Sequence, residues 1–250
     1  SVAASNLNTL DGKTSVAVTV SSTTLTGSYT DVKAAYDAGT AGTISGLGDE
    51  AVTLSDTTLA VANLNTLNGE TSGVVNASSV TTLTGAYSAL STAYTANTAG
   101  TISGLGDEAI TLSDTTLAAA DLNTLNGLTT GVVNAGTVAT LTGTAAAANT
   151  AYDAGTAGTI SNLGNEAVTL TDTTLAASVL NTLDGNTTGV VNAGTVTTLT
   201  GLGEDINNAY AANTAGTISG LANEAITITD LTIDGSVLNA VDANTSGVVD

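Results

Sequence analysis

An α/β repeat solenoid is the fold the sequence predicts, and three periodicities predict it. Leu7, Leu64, Leu122, Leu180 and Leu238 hold equivalent places at steps of 57, 58, 58 and 58 residues. Tyr36, Tyr94, Tyr152 and Tyr210 keep the same 58-residue step. Gly73, Gly100, Gly131, Gly158, Gly189, Gly216 and Gly247 lie alternately 27 and 31 residues apart, so each repeat is two related halves of about 29 residues. A half of that size is too small to enclose a core and has to lean on its neighbours. The expected organisation is one continuous solenoid over 1–250: repeats 1–58, 59–116, 117–174 and 175–232, with a partial fifth at 233–250.

The fourth repeat shows why each element is expected. Asp172 precedes Thr173-Thr174-Leu175 as an N-cap, and Asp56, Asp114 and Asp230 occupy the same place. Leu175, Val179 and Leu183, flanked by Leu180, have helical spacing, and Asp184-Gly185-Asn186 supplies a stop. Gly189 to Asn192 and Thr195 to Thr200 are short, rich in Val and Thr, and joined by Asn-Ala-Gly, which predicts two strands around a turn. The second half copies the plan. Asp205 to Ala211 carries Ile206, Ala209 and Tyr210 at i, i+3 and i+4; the first repeat has Val32, Ala35 and Tyr36, with Gly39 as the stop. Strands are expected at Gly216 to Ser219 and Ala225 to Thr229, where Ile226 and Ile228 alternate with threonines. Aligning the halves sets Leu199 on Ile228 and Thr197 on Ile226, and Ala139 in place of Thr197 suggests a small inward position. Each rung is then helix, strand, turn, strand, with equivalent strands pairing in parallel about 4.8 Å apart and winding right-handed by default. An all-β solenoid is the alternative, because the helices are short and interrupted by Thr and Asn.

Composition narrows the function classes. The chain has 22 acidic residues against two lysines (Lys13 and Lys33), no Arg and no His, for a net charge of −20. Phosphate backbones and anionic membranes both demand cations that this chain lacks. Only 10% of residues are charged and 42% are hydrophobic, which argues against a highly charged disordered chain. Without cysteine, disulfides and thiolate metal sites are excluded. No apolar run is long enough to span a membrane, and the start has no signal-peptide pattern. An acidic, lysine-poor surface rich in Thr, Asn, Gly and Ala suits an extracellular location. Neither end resembles a polar cap, so the chain reads as an excerpt or processed piece of a longer array.

Candidate chemistry is sparse. There is no phosphate loop with lysine, no nucleophile with a His base and no His/Cys metal set, so an enzyme is not expected. Glu50, Glu108, Glu166 and Glu224 stand six residues before Asp56, Asp114, Asp172 and Asp230. Such pairs serve glycoside cleavage, but four equivalent copies do not make one special place. Calcium is the better functional reading, with Asp107-Glu108 and Asp184-Gly185-Asn186 as oxygen-rich turns, although neither DxDxDG nor GGxGxD occurs. The plainer reading makes the Asp residues helix caps and the Glu residues solvated. No other cofactor is indicated.

Every complete rung also carries a Thr/Ser-x-Thr/Ser pair: Thr24/Thr26, Thr53/Ser55, Thr82/Thr84, Thr111/Ser113, Thr140/Thr142, Thr169/Thr171, Thr198/Thr200 and Thr227/Thr229. Stacked, they would form two outward columns similar to the face of ice-binding β-solenoids, or simply a solvated face of good strand formers. The four periodic tyrosines are expected to pack from helix to sheet with their hydroxyls at the edge. Asparagines of LNTL and NTxG are candidates for inward amide ladders. Asn186-Thr187-Thr188 is a glycosylation sequon of a kind that arises by chance in an Asn- and Thr-rich chain.

The phrase NEAVTLTDTTLAASVLNTLDGNTTGVVNAGTVTTLTG (Asn165 to Gly201), with the recurring AYxAxTAGTISGLGDEA, resembles tandem arrays of very large secreted or cell-surface proteins of cyanobacteria, marine ones especially. The resemblance covers essentially the whole chain. Val16-Ala17-Val18 departs from its Gly-Val-Val phrase. It implies an exported structural or adhesive role and carries no catalytic residues. Three functions are therefore expected in order: a structural rod of an extracellular filament, sheath or surface layer, joined to other copies end to end or laterally; a spacer in a calcium-dependent adhesin; and an ice-binding surface.

Overall fold

A computed structural model describes residues 1–250. The chain is an α/β repeat solenoid with nine helices of 8 to 13 residues between short strands, so the all-β alternative fails. Thr and Asn do not break these helices: Thr66, Thr124 and Thr182 return their hydroxyls to the carbonyl four residues back. No helix is long and apolar enough to cross a membrane. The chain divides into two compact units, Ser1–Ser113 with Gly127–Val133, and Asp114–Asn126 with Asn134–Asp250.

The first unit runs β1 (Val2–Ala3), α1 (Ala4–Asp11), β2 (Val18–Thr19), β3 (Thr24–Gly27), α2 (Tyr29–Ala41), β4 (Ile44–Ser45), β5 (Ala51–Leu54), β6 (Thr58–Ala60), α3 (Val61–Glu70), β7 (Val75–Asn76), β8 (Thr82–Gly85), α4 (Tyr87–Ala99), β9 (Ile102–Ser103) and β10 (Ala109–Leu112). Its main sheet is parallel in the order β1-β3-β5-β7-β9, and β6-β8-β10 form a run beside it. Val2, Leu25, Val52, Val75 and Ile102 pair in register, and the last four are 0% exposed. Helices α1 to α4 pack each on the next.

In the second unit the order is β11 (Thr116–Ala118), α5 (Ala119–Asn126), β12 (Val133–Asn134, at the boundary), β13 (Thr140–Gly143), α6 (Ala145–Ala157), β14 (Ile160–Ser161), β15 (Ala167–Leu170), β16 (Thr174–Ala176), α7 (Ala177–Asn186), β17 (Val191–Asn192), β18 (Thr198–Gly201), α8 (Gly203–Ala215), β19 (Ile218–Ser219), β20 (Ala225–Ile228) and α9 (Gly235–Asn244). One parallel sheet is β11-β13-β15-β17-β19 and another is β16-β18-β20, with α5 to α9 stacked in sequence.

Register explains the 58-residue period better than two rungs of 29 do. Leu117, Leu141 and Val168 pair in one sheet at steps of 24 and 27 residues. Seven residues on, Leu175 opens the next sheet by pairing with Leu199. A repeat is therefore two turns of unequal length plus a sidestep, and the sidestep strand (β6, β11 or β16) was expected to be the first turn of a helix. Leu175 accordingly belongs to β16, Val179 is only half-buried, and α7 buries Ala177, Leu180 and Leu183. Leu199 pairs with Ile226, not Ile228, so Thr197 and Ala139 face outward and are exposed.

The long helices behave as expected on their buried face: Val32, Ala35 and Tyr36 are repeated by Ile206, Ala209 and Tyr210. Their stops differ. Gly39 lies inside α2, and the cap is Gly42, whose φ of 81° returns its N–H to Ala38 and Gly39. Gly185 likewise lies inside α7, which ends on extended Thr187. Of the leucine series, Leu64, Leu122 and Leu180 are 0% exposed and Leu7 7%, whereas Leu238 on α9 is 37% exposed.

Replacing Leu122 by Ala should cost about 2–5 kcal/mol of unfolding free energy, whereas Val190→Ala, at a position 44% exposed, should stay within about 0.5 kcal/mol. Urea unfolding of both variants checks the difference.

Candidate functional site

The inward stripe of each long helix ends in a tyrosine, the glycine cap turns the chain, and 14 residues after the tyrosine comes a glutamate. Glu50, Glu108, Glu166 and Glu224 are 2%, 0%, 1% and 0% exposed, so they are core residues and not solvated ones. The Tyr94 hydroxyl donates to Glu108, that of Tyr152 to Glu166 at 3.1 Å, and that of Tyr210 to Glu224 at 2.8 Å. The carboxyl also folds its own turn: Glu108 Oε2 accepts from the N–H of Gly106 at 2.8 Å and of Asp107 at 3.0 Å. Gly48 and Asp49 do the same for Glu50. No lysine enters the cluster; donors alone hold the acid in place.

A second segment seals the cluster from 21 residues further on. Thr71, Thr129 and Thr187 are buried, and each donates its hydroxyl at 2.7 Å to the main-chain carbonyl of Glu50, Glu108 or Glu166, as Thr245 does to Glu224. The same hydroxyls accept from the N–H of Gly73, Gly131, Gly189 and Gly247. A Cβ at Gly131 would lie 2.4 Å from the Glu108 carbonyl oxygen, so the Gly of the Gly-Val-Val phrase marks a close crossing of two backbones.

The aspartates do cap helices, but of another rung. Asp56, Asp172 and Asp230 accept at 2.7–2.8 Å from the first N–H of the helices at Tyr29, Ala145 and Gly203, 27 residues earlier. Each carboxylate meets the positive end of a helix whose first amides have no internal partner. The Glu and Asp of a sequence pair are thus turned to different partners and do not form an acid–base couple. The LNTL asparagines likewise bracket helices instead of forming amide ladders: Asn8, Asn65, Asn123 and Asn181 each donate at 2.9 Å to a carbonyl of the following helix, while Asn186 and Asn244 of the NTxG phrases each donate to one other amide, of Asn149 and Asn207.

Glu108 points inward as described, Asp107 is exposed, Asp184 accepts from Thr217 at 3.1 Å, and Asn186 donates to Asn149 at 3.0 Å. The fold gathers no group of three or more acidic side chains around one point. The threonine columns are interrupted too. Thr142 pairs with Thr169, but next come Asn192 and Ser219, and Thr140 faces Ala167. The tyrosine hydroxyls, expected at the edge, are instead buried. Comparison with models of known families, with curated proteins and with solved structures finds no match to this chain.

Tyr36, Tyr94, Tyr152 and Tyr210 are pushed well above the ordinary phenol value of 10.0, foremost by burial and further by the adjoining Glu, while a Thr hydroxyl acts the other way in each. The folded state therefore keeps protons that the unfolded state gives up above about pH 10. Their contribution to stability is complete below that pH and is lost as pH rises beyond it. In an alkaline titration followed by tyrosinate absorbance and circular dichroism, four of the six phenols, those of Tyr36, Tyr94, Tyr152 and Tyr210, should ionise with unfolding; ionisation of more than two phenols with the fold retained near pH 10 would contradict this.

Asp172→Ala should cost about 0.5–2 kcal/mol and speed amide exchange in the first turn of α6 rather than of α7. Hydrogen exchange by NMR separates the two helices.

Proposed function

We propose that this chain is a structural protein, a repeat-built element of an extracellular or cell-surface filament, sheath or surface layer that associates with other copies of itself. The observation that carries this reading is that each rung is completed by its neighbour. Glu108 has its carbonyl sealed by Thr129, the α6 terminus is closed by Asp172, and strands of only 2–4 residues find partners one turn away. Such a chain resists unfolding through many equivalent interlocks and concentrates no chemistry at one of them. Val74, Val132 and Val190, 41–44% exposed at 58-residue steps, offer apolar contacts for lateral association. The net charge of −20 disfavours nucleic acid and anionic lipid as partners. No catalytic residue is assigned. The resemblance to secreted cyanobacterial arrays supports an exported location.

Sedimentation and negative-stain microscopy over a range of concentrations test the proposal. Ordered filaments or sheets, with sedimentation rising with concentration, are expected. A chain that stays monomeric and shows a calcium-dependent rise in melting temperature would instead favour an adhesin spacer, and thermal hysteresis would favour ice binding.

A further inference from the structure

Gly39 and Gly155 sit three residues after Tyr36 and Tyr152, inside α2 and α6; the same place in α4 and α8 is held by Asn97 and Asn213. The asparagines have a defined task. Asn97 Oδ1 accepts from the N–H of Leu105 at 3.3 Å. Asn213 accepts from the N–H of Leu221 at 3.2 Å and donates to its carbonyl at 3.1 Å. At Asn213 a carboxamide edge thus pairs with both main-chain groups of one leucine, and at Asn97 its oxygen pairs with the N–H.

In the glycine-bearing repeats that amide is missing, and Leu47 and Leu163 stand without the acceptor their counterparts have. Neither glycine is demanded by space or backbone. A Cβ at Gly39 would lie 3.6 Å from its nearest neighbour and one at Gly155 3.8 Å, both ordinary contacts, and neither glycine has a positive φ. Glycine inside a helix is less favourable than alanine, and here each lies against the side chain of the leucine that lacks its amide partner. Gly39 lines a polar pocket of about 260 Å³ beside Tyr36, Thr40, Ser45 and Glu70, and Gly155 lines its counterpart of about 370 Å³ beside Tyr152 and Asn186.

We infer that these two pockets are binding sites for a primary carboxamide, taken up in the place that the Asn97 and Asn213 side chains fill in the alternate repeats. The amide oxygen accepts from the Leu47 or Leu163 N–H and its NH₂ donates to the carbonyl of the same leucine, with room in the pocket for the group that carries the amide. The site is independent of the structural role proposed above. Its source is either a small free amide or the Gln or Asn side chain of a peptide.

Titration of the ¹⁵N-labelled chain with acetamide should give saturable amide shifts at Leu47 and Leu163 and none of that kind at Leu105 and Leu221. N,N-dimethylacetamide, which keeps the carbonyl but has no N–H, should bind more weakly. Gly39→Asn, which copies the natural residue of the next repeat, should abolish the Leu47 response and spare that of Leu163. Asn97→Gly should create a new response at Leu105. A short Gln-containing peptide that saturates at lower concentration than acetamide assigns the source to a polypeptide; one that does not assigns it to free amides. Shifts that stay linear, that are equal at all four leucines, or that persist at Leu47 in Gly39→Asn would overturn the inference.

Discussion

In-register parallel pairing of very short strands is the constraint on which the structure depends. A strand of two residues such as Val75–Asn76 offers too few hydrogen bonds to persist alone. It is held because Val52 lies on one side and Ile102 on the other, each wholly buried and each a full turn away along the chain. Helix packing follows the same logic, since α7 touches α6 and α8, the helices before and after it. Stability is thus a property of neighbouring turns taken together, as in other linear arrays.

The charge imbalance is accommodated by the same neighbour-to-neighbour logic. With two lysines in the chain, carboxyl groups cannot be matched by cations, and the ion pairs found are those of Lys33 with Asp37 and with Glu70. Helix N-termini and turn amides take the cations' place. The Asp carboxylates face the open first turns of helices, and the Glu carboxyls gather main-chain N–H groups and, at Glu108, Glu166 and Glu224, a phenol in a dry setting. Such a group is costly to bury without hydrogen-bond donors around it, and the tyrosine 14 residues before each glutamate supplies one at Glu108, Glu166 and Glu224.

Much of this was legible in the sequence, and the boundary is instructive. Period-3.6 stripes such as Ile206, Ala209 and Tyr210 reported the buried helix face correctly, because spacing within one helix is a local matter. The sidestep strand was not recognised, because Thr174-Leu175-Ala176 has the same composition at a helix start as at a sheet edge. Asp172 reads as the cap of the helix that follows it, but the helix it caps begins 27 residues upstream, a fact of topology that no window of sequence contains. The charge of Glu166 suggests a solvated residue, whereas it is 1% exposed. The available signal was that glutamate recurs at all four places while the residue before it changes between Asp and Asn.

The reach of the interlocks has a bearing on how such a chain can grow. Thr129 seals Glu108 from 21 residues away and Asp172 closes α6 from 27, each span shorter than one repeat. Duplicating or deleting a whole 58-residue block therefore hands every group an identical partner. Splicing in half a block would set a sidestep where a plain turn belongs and leave an aspartate facing the wrong terminus. Length in this architecture is quantised: genetic recombination can lengthen or shorten it in whole steps without redesigning a single joint.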